Sequence, residues 1–391
     1  MHLFLSAGEP SGDQHGAGLM RAVRERRPAA RFTGFGGPEM TEAGQDQLFR
    51  TTDMGVMGVT GAIPLIKTLR GLHREAVTLM ERERPDGVVL IDWSGFNWHV
   101  ARSAKALGIP VHFYMPPQLW AWGGWRIRKV RKHVDTVLSG LPFEADWYES
   151  RGVETVRVPH PFFDEIEQKP LDASLVDSLR PDGDRVVAVL PGSRNAEVRR
   201  NFPIQIAAMR RVAATRPEVR FEVACYRDGQ RDTCEGLLAE EASQNGPLPT
   251  ARPVRLHVGK TSEVIEAAEA TLMVSGSVSL EVLARRTPAV VCYNSNLAMI
   301  RFLGTVRYIS LPNWIAGREV MPEFAFFRSG PAYAERMAAI LGRWLDNEAE
   351  RQAVADQLDA LAREVQRGGG AGQAADAILQ RCEPAPLAAA A

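Results

Sequence analysis

Short, continuously apolar runs recur along the chain and alternate with stretches long enough to form helices. In the first half, Leu3 to Ala7, Arg31 to Phe35, Gly87 to Ile91, Ile109 to Tyr114, Thr136 to Leu138 and Thr155 to Val158 read as strands. Helical patterns at Gly16 to Arg26, Asn97 to Leu107 and Phe143 to Arg151 lie between them. Runs that are apolar throughout, rather than alternating, predict parallel strands covered on both faces. Pro159 to Pro181 is rich in breakers and reads as a connection between domains. A second series follows, with strands at Val186 to Leu190, Val219 to Ala224, Val254 to His257, Ala270 to Val274 and Ala289 to Tyr293. Its helices fall at Glu197 to Thr215, Thr261 to Ala268, Val278 to Arg285 and Leu297 to Leu303. The pattern predicts an α/β chain of two Rossmann-like doubly wound domains facing a cleft, residues 1–165 and 182–345, followed by a helical segment, 346–391.

Composition narrows the classes. The 391 residues suit two domains, and 45% hydrophobic with 24% charged residues is the balance of a folded chain rather than a disordered one. Lys and Arg number 47, as do Asp and Glu, so no overall field draws the molecule to nucleic acid, and none is expected as a partner. The four cysteines contain no C-x-x-C pair, which fits a reducing cytoplasmic setting and no structural metal. The N-terminus lacks the basic stretch of a secretory signal, and no apolar run approaches a membrane span.

Candidate chemistry gathers at strand ends. After the first strand, Gly8-Glu9-Pro10-Ser11-Gly12-Asp13-Gln14-His15-Gly16 places three glycines four apart, either to let a ligand approach backbone N–H groups or to make a tight turn capped by Ser11 or Asp13. Asp92 closes the strand Gly87 to Ile91, with Asn97 following, and is a general base or a loop anchor. Trp120, Trp122 and Trp125 form an aromatic wall for sugar or acyl chain, or a packed corner. The basic run Arg126, Arg128, Lys129, Arg131, Lys132 behind them is a solvated face or an anion-binding one. In the second half, Gly192-Ser193-Arg194 and Ser275-Gly276-Ser277 each lead from strand to helix and offer N–H donors to a diphosphate. Glu281 either accepts ribose hydroxyls or closes a capping box one residue out of register. Ile63, Ile66 and Leu69 recur every three residues beside Lys67, Arg70 and Arg74, on a helix that faces either the core or a membrane.

The ordered set Ala7-Gly8-Glu9-Pro10-Ser11-Gly12-Asp13, Gly36-Gly37-Pro38-Glu39-Met40, Met57-Gly58, Ile91-Asp92, Phe96-Asn97, Pro117-Gln118-Leu119-Trp120-Ala121-Trp122, Leu141-Pro142-Phe143-Glu144, His160-Pro161, Leu190-Pro191-Gly192-Ser193-Arg194, Ser275-Gly276, Leu280-Glu281 and Ser310-Leu311-Pro312-Asn313 resembles the lipid A disaccharide synthase family along nearly the whole chain. The resemblance implies a GT-B type inverting glycosyltransferase of lipid A biosynthesis. It would join UDP-2,3-diacylglucosamine to 2,3-diacylglucosamine 1-phosphate and release UDP, with no cofactor and no metal. It implies Asp92 as the base on the acceptor 6-hydroxyl. Glu9, Ser11, Gly12, Asp13, Asn97 and Gln118 would bind substrate in the N-terminal, acceptor- and membrane-side domain. Gly192, Ser193, Arg194, Gly276, Ser277, Glu281 and Asn313 would bind UDP in the second. Acylated substrates further imply a peripheral protein on the inner face of the cell membrane, touching it through Ile63, Ile66 and Leu69, and members of the family form homodimers. Ser94 and Gly95 stand where the family often has Pro and Asp. The alternatives are a related GT-B UDP-sugar enzyme with another acceptor, and a non-catalytic nucleotide-sugar-binding protein.

Overall fold

Runs dominated by Val, Ile, Leu and Phe form the middle of two parallel sheets. The computed structural model describes residues 1–51, 62–181, 184–294, 306–326 and 330–382. Met57-Gly58, the Ile63 side chain and the expected helix Leu297 to Leu303 lie outside the described residues. The first sheet is built from β1 (His2–Ser6), β2 (Arg31–Gly36), β3 (Gln45–Arg50), β4 (Gly87–Ile91), β5 (Val111–Tyr114), β6 (Thr136–Ser139) and β7 (Thr155–Arg157), in the order β3-β2-β1-β4-β5-β6-β7. The second holds β8 (Val186–Leu190), β9 (Arg220–Cys225), β10 (Arg255–Val258), β11 (Ala270–Val274), β12 (Ala289–Asn294) and β13 (Glu323–Phe326), in the order β10-β9-β8-β11-β12-β13. Every strand pair is parallel. In both sheets the strand order reverses beside the first strand, between β1 and β4 and between β8 and β11. Open α/β sheets bind ligands outside the strand ends at such a switch point.

The chain forms two units, Met1–Glu165 with Arg367–Ala391, and Ile166–Gln366. The stretch set apart in the sequence as 346–391 is therefore shared out. The helix Glu348–Val365 belongs to the second unit, whereas Gly370–Cys382 packs in the first, where Ala374, Ala375 and Ile378 join the core around Leu3, Leu5 and Leu19. Asp164 anchors this last helix, its carboxylate accepting the N–H groups of Gly369, Gly370 and Ala371 at 2.7, 3.2 and 3.0 Å. The glycines that look like an interruption serve this turn: Gly369 has φ +83°, and a Cβ on Gly370 would lie 2.3 Å from the Pro159 carbonyl.

Two differences from the sequence reading have plain causes. The first helix spans Pro10–Arg26 and so takes in most of the supposed loop, because Pro10 occupies its first turn, where a missing N–H costs nothing. Gln45–Arg50 and Asp228–Asn245 form a strand and a helix that apolar periodicity does not reveal, being rich in polar residues.

Candidate active site

The ends of β1 and β4 meet in a turn whose shape explains the glycine-rich segment. Asp92 and Trp93, directly after β4, have φ of +45° and +39°, a left-handed conformation that non-glycine residues adopt at a cost. What holds them there is close packing against β1's loop. A Cβ on Gly8 would lie 2.2 Å from Trp93 Cγ, and one on Gly12 would lie 2.0 Å from Asp92 Oδ2. Trp93 in turn stacks on Phe96, with ring centroids 4.3 Å apart. Gly8 and Gly12 are thus required by the Asp92-Trp93 turn, and Gly12, expected to bind substrate, is buried beneath the carboxylate.

Asp92 Oδ1 accepts the Gly8 N–H at 3.1 Å. Its Oδ2 is shut off from solvent and has no hydrogen-bond partner among the described residues. Burial pushes the carboxyl up to about 8, helped by the charge of Glu9 and against the pull of the Gly8, Glu9 and Gly12 N–H groups. A carboxyl at a strand end that lines a cavity and whose pKa is raised to about 8 is equipped to take a proton.

Asp92 lines a cavity of about 350 Å³ in the first unit, together with Ser11, His15, Gln118, Glu144 and His160. His15 Nδ1 meets Glu165 Oε1 at 2.7 Å, and its ring packs edge-on against that of His160. Burial first, and then the His15 charge, lowers His160 to about 3, so it stands neutral in the wall. Glu144 is pushed up to about 7 by burial. It accepts the Trp120 indole N–H at 2.9 Å and the Ser139 hydroxyl at 2.6 Å, both of its oxygens going to hold the corner. Glu165 has no signal of its own in the sequence, since it meets His15 across 150 positions.

Several expected ligand contacts are committed elsewhere. Asp13 is buried, and its carboxylate accepts the N–H groups of Gly37, Met40 and Glu39 at 2.7, 3.1 and 3.0 Å, capping the short helix Pro38–Glu42. Asn97 is wholly buried, its amide donating to the carbonyls of Ser6, Ile91 and Asp92 and accepting from the Ser6 hydroxyl at 2.6 Å. Both therefore shape the switch point from beneath rather than face a ligand. Ser11 and Gln118 are exposed at the cavity, and Glu9 is half-buried beside it at the helix start.

In the second unit the two expected loops occupy the corresponding positions, after β8 and β11. Gly192 has φ +122°, and a Cβ there would meet Glu197 Oε2 at 2.5 Å. The Ser193 N–H donates to that same oxygen at 3.1 Å, and Gln230 clamps the loop by donating to the Ser193 carbonyl at 3.1 Å. Ser193 and Arg194 stand exposed at the start of the helix Asn195–Thr215. Gly276 and Ser277 are exposed ahead of Val278–Ala284. Ser277 makes no side-chain cap, and Glu281 instead accepts the Ser262 hydroxyl at 2.5 Å and Arg285 Nε at 3.3 Å, which removes the capping-box reading. Asn313 is wholly buried and stitches its helix to the next turn, accepting from Val320 and Met321 N–H at 2.7 and 2.9 Å. It supports that loop from within and is not positioned to touch a nucleotide. Glu323, which the sequence reading passed over, holds the turn before that helix by accepting the Ile309 and Ser310 N–H groups at 2.8 and 2.7 Å.

Among the described residues there is no cluster of His, Cys, Asp and Glu suited to a metal, and no helix long and apolar enough to cross a membrane. Ile66 is 47% exposed, whereas Leu69 packs partly against the core that receives Leu72, Ala76 and Met80.

A profile of the family described as lipid-A-disaccharide synthetase matches residues 3–375. A lipid-A-disaccharide synthase of Alcanivorax borkumensis is 34% identical over 383 residues, 97% of this chain and 97% of that one. The fold is similar to the crystal structure of UDP-GlcNAc 2-epimerase from Neisseria meningitidis bound to UDP-GlcNAc, with a TM-score of 0.63 and 10% identity over 97% of this chain and 99% of that one. It is also similar to the glycotransferase of kitacinnamycin, with a TM-score of 0.60 and 17% identity over 98% and 99%. At such identities the two structures speak for the fold alone, a GT-B fold of two parallel-sheet α/β domains. The profile and the relative extend across both units, and with them the chain belongs to the lipid-A-disaccharide synthase family.

Proposed function

We propose that the protein is an inverting glycosyltransferase that joins UDP-2,3-diacylglucosamine to 2,3-diacylglucosamine 1-phosphate, yielding the lipid A disaccharide 1-phosphate and UDP. The observation that carries this reading is the position of Asp92 at the β1/β4 switch point, lining the cavity with a carboxyl that burial raises to about 8, in a chain matched to the family over residues 3–375. In the reaction the acceptor 6-oxygen attacks the donor's anomeric carbon from the face opposite UDP. The bond to the diphosphate breaks, and the hydroxyl proton passes to Asp92. The leaving diphosphate is stabilised by Arg194 and by the N–H groups of the Gly192–Arg194 and Gly276–Ser277 loops. Ser11, Gln118 and Glu9 contact the acceptor sugar from the Asp92 cavity, and Glu281 receives the ribose hydroxyls. Incubating the protein with both substrates tests the whole. Disaccharide should appear together with an equal amount of UDP, whereas UDP-sugar binding without product would leave a binding protein only.

Because the ionised form of Asp92 is the base and burial holds its pKa at about 8, kcat/KM should rise with pH, reach half its maximum near 8 and level off above that. At pH 6 it should be roughly one-hundredth of the plateau. A profile already flat from pH 6 upward would take Asp92 out of the proton transfer.

Glu281→Ala should weaken UDP by roughly 1.5–3 kcal/mol for each charge-assisted hydrogen bond lost. Titration calorimetry reads this directly, and unchanged affinity in a folded variant would confine Glu281 to its contacts with Ser262 and Arg285.

Acyl substrates place the protein on the inner face of the cell membrane. The start of the helix Ala62–Glu83, with Ile66, Lys67 and Arg70 exposed, is one contact. Ile66→Asp should lower sedimentation with lipid vesicles without loss of fold, since the side chain stands outside the core. Sedimentation equal to the parent's would remove this contact.

A further inference from the structure

The corner that closes the Asp92 cavity turns a second, chemically distinct face outward. On its inner side Leu119 is buried, the Trp120 indole donates to Glu144, and the Tyr148 hydroxyl donates to the Pro117 carbonyl at 2.6 Å. On its outer side Trp122 and Trp125 are 49% and 68% exposed and belong to no core cluster. Their rings meet edge-on, with centroids 5.9 Å apart, and the Arg126 guanidinium lies over both, 4.2 Å from the first centroid and 5.7 Å from the second. Gly123, at φ +80°, makes the reversal that brings the two indoles together, a conformation costly for any other residue.

The helix Ile127–His133 continues this face with Arg128, Lys129, Arg131 and Lys132, all exposed. Among the described residues none of these four, nor Arg126, forms a salt bridge, whereas nearby Arg157 is bonded to Asp146 and Glu149. The chain as a whole has a formal net charge of +0, so this positive excess is local. It is felt within the fold: burial, and then Lys132, Arg102, Lys105 and Lys129, hold His133 below the usual histidine range.

Two exposed indoles are unfavourable in water, and indoles settle where an apolar ring and a polar N–H are both accommodated, at the headgroup level of a bilayer. Uncompensated cations beside them match a surface carrying anionic headgroups. We propose that Trp122 and Trp125, with Arg126 and the cationic helix Ile127–His133, form a surface that docks the first unit onto an anionic phospholipid bilayer. The proposal rests on the reading that the substrates are membrane lipids, and it gives the docking a purpose. The same corner carries Pro116, Pro117 and Gln118 into the wall of the Asp92 cavity, so seating its outer side on lipid brings the cavity to where acyl substrates reside.

The test is sedimentation of the full-length protein with vesicles of phosphatidylcholine alone and of phosphatidylcholine mixed with phosphatidylglycerol. The parent should bind the mixed vesicles far better, and raised salt should release it. Trp122→Ser with Trp125→Ser should weaken that binding at least about tenfold, and Arg128→Glu with Lys132→Glu should abolish the preference for phosphatidylglycerol. Both pairs should leave turnover of short-chain, water-soluble substrate analogues unchanged. The charge-reversal pair lies on an exposed helix face and keeps the test decisive should the tryptophan pair fail to fold. Binding that is indifferent to both pairs, or a parent that prefers single-stranded RNA to anionic vesicles, would overturn the proposal. A protein that binds anionic vesicles through these residues yet makes no disaccharide would sink the proposed reaction and leave this surface standing.

Discussion

Asp92→Asn is expected to lower turnover at least about 100-fold, the scale of a lost general base, while UDP affinity stays within about twofold of the parent. The amide keeps the shape of the side chain and its contact with the Gly8 N–H, so the turn survives and only the proton acceptor is lost. A second consequence runs the other way. In the unfolded chain this carboxyl ionises near its ordinary value of 3.8, whereas in the fold it resists ionisation up to about 8. Stability attached to the protonated form is therefore fully present below pH 4 and is lost as the pH rises towards 8, by on the order of a few kcal/mol at neutral pH. Asn carries no such penalty. The variant should melt several degrees higher than the parent at pH 8, with little difference at pH 4. A site that surrenders stability to keep a reactive group is the usual trade at active centres. Turnover within a fewfold of the parent would refute the assignment, and His15, in the same cavity, would be examined next.

Gly12→Ala should be nearly as damaging, for a reason that helix propensity alone would hide. Gly12 lies in the first turn of the helix Pro10–Arg26, where alanine is favoured by up to about 1 kcal/mol. The added Cβ, however, would stand 2.0 Å from Asp92 Oδ2 and 2.7 Å from its Cγ, distances at which one side must move. The turn has little room to yield, because Asp92 and Trp93 are both already at positive φ and the Trp93 ring is wedged between Gly8 and Phe96. Overpacking of this kind costs about 1–3 kcal/mol, which exceeds the propensity gain, and turnover should fall about 100-fold as the carboxylate is displaced. A double-mutant cycle separates this cause from a general defect of the helix. In an Asp92→Ala background all three atoms that the new Cβ meets are gone, so Gly12→Ala should then be close to neutral in stability, a coupling above about 1 kcal/mol by chemical denaturation. Additive effects would mean that the glycine serves something other than the Asp92 turn.

These two positions also mark where reading the chain succeeds and where it stops. The apolar runs that become β1, β4, β8 and β11 are visible without a structure, because a strand buried on both faces is apolar along most of its length. The same reasoning passes over Gln45–Arg50, which forms the edge strand of its sheet and keeps polar residues along most of its length. The motif order pointed to Asp92, and the strand end is where the structure puts it. The roles of the surrounding polar residues were not legible. Asp13, Asn97 and Asn313 sit in motifs that invite a ligand, yet their partners are backbone groups of Gly37, Met40, Ile91 and Met321, and nothing local in the sequence distinguishes a carboxylate awaiting a substrate from one already saturated by N–H groups.

By itself, then, the sequence determined the two parallel-sheet units, the loops at their strand ends, the family, and the strand-end position of Asp92. Each of these is written in side-chain type and spacing along the chain. Only the tertiary structure decided that Gly8 and Gly12 exist to admit Trp93 and Asp92, that Glu165 stands behind His15, and that the final helix returns to the first unit under Asp164. Burial, bare oxygens and raised pKa values arise from groups brought together across tens to hundreds of positions, and the local pattern of a chain holds no record of which of its distant parts will meet.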